Sequence, residues 1–240
     1  MLPILLLLFA HFTEATPITP PEARPVVVAE LFTSQGCSSC PPADRLLSEL
    51  IDEAAEVEVL ALSFHVDYWN YLGWVDPFSD AAHSERQRHY AAQLGDRVYT
   101  PQLILNGRSS HVGSRTGEVR RAVAEQARKA TTATIALAQP VIDGAALTVT
   151  FQVAGAGRRD RLAVALVERH LDVKVRRGEN GGRTLHHDNV VRAFTTADPA
   201  AGTVRLPIPE GLIPNNAAVI AYVQAPDWQV CGAATVNLAP

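Results

Sequence analysis

Short apolar runs alternate with amphipathic segments over the first half of the chain. The runs 26–32 and 57–64 are apolar and rich in β-branched residues, which predicts two buried strands. Between them, residues 42–55 carry one apolar stripe at helical spacing, which predicts a helix. Residues 79–94 and 116–130 are amphipathic and predict two further helices.

A proline interrupts the next apolar run. Residues 98–105 predict a strand broken by Thr100-Pro101, and Asn106-Gly107 is a tight-turn dipeptide that leads into a short strand at 111–113. The resulting order is βαβαββα. This order predicts a mixed sheet with helices on both faces, because each crossover helix covers apolar strands.

The periodicity changes near Thr131, where helical spacing gives way to short alternating runs separated by turn residues. The runs are 135–138, 147–153, 162–168, 171–175, 190–194, 203–208, 217–223 and 230–238. Such strands predict an all-β immunoglobulin-like sandwich over 131–240, which follows an α/β domain over 26–130.

Composition and charge argue against some classes of function. A chain of 240 residues with 47% hydrophobic content favours two domains with packed cores. The net charge of -4 and the lack of a long Lys/Arg run argue against a nucleic-acid partner and a polybasic membrane anchor. We expect no stable membrane insertion.

The N-terminus has the pattern of an export signal. Residues 2–10 are apolar but too short to span a bilayer, so we predict a signal peptide over 1–15, although no Lys or Arg precedes its core. The alternative is a buried N-terminal strand or helix. Four prolines make residues 16–25 a linker. Export predicts a periplasmic or secreted protein, whose cysteines meet an oxidising environment.

A Cys-x-x-Cys pair is the strongest candidate for chemistry. Gly36 permits a turn after the first strand, and Pro41 and Pro42 fit only the first turn of a helix. Cys37 is therefore predicted at or near the helix N-cap, where unbonded N–H groups and the helix dipole favour a thiolate.

This arrangement resembles the thioredoxin superfamily over about Val26 to Ala130, which implies a thioredoxin-like fold for the first domain. More closely, the chain resembles a bacterial exported family known only as a domain of unknown function, DUF1223. The segments that carry this second resemblance span nearly the whole mature chain; they are 30–44, 66–74, 99–102, 178–183 and 189–192.

The superfamily resemblance implies roles for individual residues. Cys37 would be the attacking thiolate and Cys40 the resolving thiol, with a Cys37–Cys40 disulfide in the oxidised form. Pro101 would be a cis-proline facing the pair, and Thr100 would offer its backbone to an extended substrate strand. Glu30 would be a buried acid that relays a proton, or alternatively an edge-exposed carboxylate.

Two features depart from the superfamily. The dipeptide Ser38-Ser39 between the cysteines supplies hydroxyl groups that favour a thiolate and a more oxidising couple. The segment 66–78 is unusually aromatic, and its Tyr68, Trp69 and Trp74 are candidate substrate-binding residues. A packed interface is the preferred interpretation of this segment, since large aromatics chiefly serve burial.

The remaining candidates are weaker. Cys231 is interpreted as an inert core thiol, with a third position in a cysteine relay as the alternative. Cys37, Cys40 and His65, joined by His186 or His187, would suit copper(I) or zinc, but no second ligand motif supports this set, so no metal and no cofactor is predicted.

The pattern as a whole predicts an exported thiol-disulfide oxidoreductase that acts on protein thiols or disulfides. Two alternatives remain open. One is a binding module in which the Cys37–Cys40 disulfide is only structural, and the other is a copper or zinc chaperone.

Overall fold

The computed structural model describes residues 24–53, 58–200 and 202–239. The predicted signal peptide, 1–15, and residues 16–23 of the predicted linker lie outside the described residues. In the part of the chain that is described, no helix has the length and apolarity needed to cross a membrane.

Three α-helices occur among the described residues. They are α1 (Pro41–Asp52), α2 (Ala81–Leu94) and α3 (Thr116–Gln126). The side chain of Asp80 caps α2 by accepting a hydrogen bond from the Ala82 N–H, and Gly95 ends it with φ 63°, a left-handed conformation that glycine adopts without steric cost. Helix α1 has Cys40 at its N-cap, so the sequence prediction placed the start of this helix too close to Cys37.

The strands account for most of the regular structure. They are β1 (Val26–Thr33), β2 (Glu58–His65), β3 (Gln102–Leu105), β4 (Ser109–Val112), β5 (Thr134–Leu137), β6 (Val141–Asp143), β7 (Ala146–Ala154), β8 (Arg161–Glu168), β9 (Leu171–Lys174), β10 (Thr184–His187), β11 (Val190–Ala197), β12 (Gly202–Pro207), β13 (Ala217–Gln224) and β14 (Val230–Asn237).

One eight-stranded sheet runs through both halves of the chain, in the order β14-β13-β8-β11-β2-β1-β3-β4. The halves meet where β11 lies parallel to β2, with Val190 opposite Ser63. Asn189 strengthens this joint: its carbonyl accepts a hydrogen bond from the Ser63 N–H at 2.8 Å, and its side-chain amide donates to the Ala61 carbonyl at 2.8 Å.

The predicted fold class is therefore wrong. A thioredoxin-like α/β domain followed by a separate immunoglobulin-like sandwich would close each sheet within its own half, but β2 pairs across the halves with β11. The physical reason is the open edge of β2, whose unpaired N–H and C=O groups need a partner strand. The described chain forms one mostly β domain.

The two faces of the sheet carry different cores. On one face, Phe32 and Phe64 pack with Tyr90 of α2 and with Tyr222 from the second half. On the other face, the apolar residues of α1 and α3 cover alternate positions of β1, including Leu31. Because side chains alternate along a strand, Glu30 and Thr33 of β1 point to opposite faces.

Two smaller sheets complete the fold. Strands β12, β7 and β5 form a sheet to which β6 adds, and it packs against the second half of the large sheet. Strands β9 and β10 form a two-stranded ribbon. The loop at the tip of this ribbon lies over the cysteine turn, so the second half of the chain helps to build the site.

Candidate functional site

The cysteine pair occupies a tight turn between β1 and α1. The Cys37 N–H donates to the Ser34 carbonyl at 3.1 Å, and the Cys40 N–H donates to the Cys37 carbonyl at 3.2 Å. Cys37 and Cys40 form a disulfide, with their Cα atoms 5.5 Å apart. Both cysteines are 0% exposed, whereas Ser38 and Ser39 are exposed. The turn therefore presents its serines to solvent and its sulfur atoms to the protein.

The ribbon loop covers the cysteine turn. Asn180 is fully buried, and its side-chain amide donates to the carbonyls of Gln35 at 3.0 Å and Cys37 at 2.9 Å. The adjacent Glu179 carboxylate accepts a hydrogen bond from the Ser38 N–H at 2.9 Å. These contacts tie the backbone on both sides of Cys37 to the second half of the chain.

The Thr100-Pro101 segment borders the same turn, and its peptide bond is cis. The Ser39 hydroxyl donates to the Thr100 carbonyl at 3.5 Å. Pro101 is buried, and Thr100 is half-buried. The structure thus brings together Cys37, Cys40, Thr100 and Pro101, which the sequence analysis grouped.

The aromatic segment 66–78 packs against the cysteine turn. The Trp69 indole N–H donates to the Thr100 hydroxyl at 2.8 Å, and the Trp74 indole N–H donates to the Gln35 side-chain oxygen at 2.9 Å. A Cβ added to Gly36 would lie 3.0 Å from the Trp69 Cβ, so the absence of a side chain at Gly36 allows this close approach. Tyr68 donates to Gln87 of α2 at 3.0 Å, and Gln87 in turn donates to the Tyr99 carbonyl at 2.7 Å, next to Thr100.

Glu30 lies on the other face of the sheet, in a buried ion pair. Its carboxylate accepts from Arg86 of α2 at 2.6 and 3.0 Å and from the Tyr90 hydroxyl at 2.5 Å. Glu30 is 1% exposed, which excludes the edge-exposed alternative. The structure does not bring this acid to the cysteines.

A different group of ionisable side chains is buried on the cysteine side. It comprises Asp44, His65, Asp76 and His187, linked through Gln35. The Gln35 N–H donates to Asp76 at 2.8 Å, and the Gln35 side-chain amide lies 3.3 Å from His187 Nε2. His65 Nδ1 is 2.7 Å from the same Asp76 carboxylate. We call these four ionisable residues the buried acid–histidine cluster.

His65 and Asp76 form its charged pair. Burial by itself lowers the pKa of His65, but the Asp76 carboxylate outweighs burial and raises it. Burial likewise opposes ionisation of Asp76, yet His65 and the backbone N–H groups of Gln35 and Phe78 lower the pKa of Asp76. Each group of the pair therefore favours the charged form of the other.

Asp44 and His187 complete the cluster, and burial shifts the pKa of each toward the neutral form. Burial raises the pKa of Asp44 to about 6, although His65 and a hydrogen bond from the Thr33 hydroxyl at 2.8 Å oppose the rise. Burial, together with the positive charge of His65, lowers the pKa of His187 to about 3. Asp44 thus exchanges a proton near pH 6 while His187 stays neutral.

The cluster can hold a proton close to the disulfide. Asp44 lies one helical turn after Cys40, and its N–H donates to the Cys40 carbonyl at 3.1 Å. His187 Nδ1 is 3.8 Å from the Asp44 carboxylate. His65 Nε2 and His187 Nδ1 are buried and have no hydrogen-bond partner among the described residues. Its raised pKa and its place one helical turn after Cys40 make Asp44 the candidate proton acceptor for the Cys40 thiol.

The possible metal ligands and Cys231 were the weaker candidates from the sequence. In the disulfide form, Cys37 and Cys40 offer no thiolate to a metal ion, and His65 Nδ1 is bonded to Asp76. Cys231 is a partly exposed free cysteine on the edge strand β14. Its carbonyl accepts hydrogen bonds from residues 132 and 133, and its thiol lies near the Gln229 carbonyl.

Sequence reasoning missed three residues of this site, Asp44, Asp76 and Asn180, and it considered His187 only as a possible metal ligand. For Asp44 a signal existed, because a position four residues after Cys40 shares its helix face. Asp76 lay within the aromatic segment that had been singled out. No local pattern connects His187 or Asn180 to residues more than 140 positions earlier.

The fold and the site together define a β-rich protein with one mixed eight-stranded sheet and a buried Cys-x-x-Cys disulfide at the start of its first helix. The chain belongs to the family described as protein of unknown function (DUF1223), which matches residues 28–224.

Two solved structures are similar over most of the chain. An X-ray crystal structure of an Agrobacterium tumefaciens protein has 30% identity and a TM-score of 0.65, and the match covers 91% of this chain and 96% of that one. HBP35 of Porphyromonas gingivalis has the same TM-score of 0.65 at 15% identity, over 90% of this chain and 76% of that one, so this likeness concerns the fold alone. No curated protein matches the chain by sequence.

Proposed function

We propose that the protein is an exported thiol-disulfide oxidoreductase that uses its Cys-x-x-Cys pair on protein thiols or disulfides, in the periplasm or outside the cell. The observation that carries the proposal is the position of Asp44. A buried carboxyl with a pKa raised to about 6 lies one helical turn from Cys40, beside a disulfide bordered by Thr100-Pro101. Such tuned acids cluster at functional sites.

In the reducing direction, the Cys37 thiolate attacks a substrate disulfide and releases one substrate thiolate. Asp44 accepts the proton of the Cys40 thiol, and the Cys40 thiolate then attacks the Cys37 sulfur of the mixed disulfide. This step forms the Cys37–Cys40 disulfide and releases the second substrate thiolate, which takes up a proton. The protein loses the two electrons that the substrate gains, and the reverse sequence oxidises a substrate dithiol.

Trapping of the mixed disulfide tests this proposal. A Cys40→Ser variant retains the attacking Cys37 but cannot resolve the intermediate, so it should accumulate a mixed disulfide with a small disulfide such as oxidised glutathione. Cys37→Ser in the same assay is the matched control and should accumulate less. A redox titration of the native pair against glutathione should give a measurable equilibrium, and the absence of exchange in both assays would reject the proposal.

One observation favours a second function, in which the disulfide only holds the turn together and the protein acts as a binding module. Cys37 and Cys40 are both 0% exposed, and structural cysteines of this kind are inert. Alkylation separates the two functions. A structural disulfide gives no mixed disulfide in Cys40→Ser, and its reduction lowers stability without creating a rapidly alkylated thiol.

A further inference from the structure

Two imidazoles and a carboxylate meet where the β9–β10 ribbon joins the large sheet. His170 directly precedes β9, His186 lies within β10, and Asp188 directly follows β10. One candidate ligand atom from each residue lies within 4.8 Å of the other two. His186 Nε2 is 3.2 Å from Asp188 Oδ2, and His170 Nδ1 is 3.5 Å from Asp188 Oδ1.

We propose that His170, His186 and Asp188 form a zinc-binding site. Zinc takes histidine nitrogen and carboxylate oxygen at about 2.0–2.2 Å, so the ligand atoms of a tetrahedral ion are about 3.4 Å apart. The separations of 3.2 Å from His186 Nε2 to Asp188 Oδ2 and 3.5 Å from His170 Nδ1 to Asp188 Oδ1 are close to this value, so each histidine faces one oxygen of the carboxylate. Small side-chain rotations therefore suffice to place the third pair, His170 and His186, around the same ion.

Asp172 orients the His186 ring through the nitrogen that faces away from Asp188. His186 and Asp172 are directly opposite each other in the antiparallel ribbon, and His186 Nδ1 lies 2.8 Å from the Asp172 carboxylate. Both ring nitrogens of His186 face carboxylates, which only accept, so zinc takes the place of the proton on Nε2 while Nδ1 keeps its proton toward Asp172. A carboxylate that holds the far nitrogen of a histidine ring is a common support for a metal ligand.

The carboxylate ligand is fixed in place, whereas the histidines are accessible. The Asp188 side chain is 3% exposed, and its Oδ1 accepts a hydrogen bond from the His170 N–H at 2.9 Å. The side chains of His170 and His186 are 58% and 48% exposed, so an ion can enter from solvent, and water can complete its coordination.

Arg169 competes with zinc for this carboxylate, since its Nε lies 3.5 Å from Asp188 Oδ1. Its Nη2 is directed to Asp52 of α1 at 2.6 Å, which draws the guanidinium toward the helix. Asp188 Oδ2 is the oxygen that faces His186. The zinc site therefore requires no displacement of the Arg169–Asp52 pair.

This site is separate from the cysteines. Burial alternates along β10, so His186 points to solvent while its neighbour His187 points into the buried acid–histidine cluster. The proposal therefore uses none of the residues Cys37, Cys40 and His65 of the metal set considered from the sequence.

Calorimetric titration with zinc chloride tests the site. The full mature protein is used with its disulfide oxidised and with Cys231→Ser, so that no free thiol binds zinc. We expect one zinc ion per chain. His170→Ala and His186→Ala should each abolish this binding, and Asp172→Asn should weaken it about 10- to 100-fold.

His89→Ala is the matched control, because His89 is an exposed histidine on α2, stacked on Trp228. It should leave zinc affinity unchanged. Circular dichroism and thermal melting without zinc establish that each variant is folded; a variant that does not fold is replaced by His186→Gln or His170→Gln. The proposal is overturned if the parent protein binds no zinc, or if both histidine variants bind zinc as tightly as the control.

Discussion

Asp44→Asn is expected to change how stability depends on pH. Asp44 is a residue of α1, and its carboxyl is buried and accepts a hydrogen bond from the Thr33 hydroxyl. Asparagine keeps the shape of the side chain and an oxygen for that bond, but it cannot ionise. The variant therefore isolates the ionisation of one buried acid.

The magnitude follows from the pKa of Asp44, which burial raises from 3.8 to about 6 in the folded protein. Between these two values the unfolded chain loses its proton while the folded chain keeps it, so the native protein loses stability as pH rises. Each pKa unit corresponds to about 1.4 kcal/mol, which gives about 3 kcal/mol in total. Between pH 4 and pH 7, the native protein should thus lose about 2–3 kcal/mol relative to Asp44→Asn.

Urea denaturation of the oxidised proteins at pH 4, 5, 6 and 7 measures this difference. Asp143→Asn, at an exposed position of β6, corrects for the general effect of removing an acidic side chain. The reasoning is refuted if the difference between the native protein and Asp44→Asn is the same at pH 4 and pH 7. A difference that changes in the opposite direction would mean that the fold stabilises the Asp44 carboxylate.

Three further substitutions test the contacts around the site. Arg86→Met leaves the Glu30 carboxylate buried without its cation, so the free energy of unfolding measured in urea should fall by about 3–5 kcal/mol. Adding Glu30→Gln should restore part of this loss. A loss below about 1 kcal/mol would contradict the reasoning. Asn180→Ala removes the donor to two buried carbonyls, so the free energy of unfolding should fall by about 1–3 kcal/mol. Dithiothreitol should also reduce the disulfide faster in this variant. An unchanged rate of reduction would mean that Asn180 does not shield the sulfur atoms. Trp69→Phe keeps an aromatic ring near Gly36 but loses the hydrogen bond to Thr100, so the free energy of unfolding should fall by only about 0.5–1.5 kcal/mol. A larger loss would indicate that the indole does more than donate this hydrogen bond.

The sequence predicted the elements around the cysteines well because their signals are local. The apolar runs located β1 and β2 to within one residue at each end, and the helix predicted over 79–94 corresponds to α2, Ala81–Leu94. Pro41 and Pro42 placed a helix start near the cysteine pair, and the structure assigns the N-cap to Cys40 and ends the helix at Asp52.

The joint between the halves could not be predicted in the same way. Strands β2 and β11 are both apolar, and backbone hydrogen bonds between them carry no side-chain signature. The specific contribution comes from Asn189, whose amide bonds the Ala61 carbonyl across 128 positions of sequence. The change in periodicity at Thr131 is a change in element type, and it was wrongly taken to separate two folded units.

The surroundings of the two acids near the cysteine pair also could not be predicted from the sequence. Glu30 and Asp44 are both carboxyls near the cysteine pair in sequence, but β1 directs Glu30 toward α2, where Arg86 neutralises it. Asp44 lies on the inner side of α1 beside neutral His187, so burial raises its pKa. Only the three-dimensional surroundings distinguish an acid that pairs with a buried cation from one whose pKa burial raises to about 6.

The site depends on the second half of the chain for the same reason that the fold does. His187 and Asn180 reach the cysteine turn because the β9–β10 ribbon is continuous with β11, and β11 is held against β2. The apolar face around Phe32 and Phe64 is closed by Tyr222 from β13. A fragment that ended near residue 130 would therefore expose the edge of β2, lose part of this core and leave Asp44 without His187. The surroundings of Cys37 and Cys40 are thus built by the whole sheet and not by its first half alone.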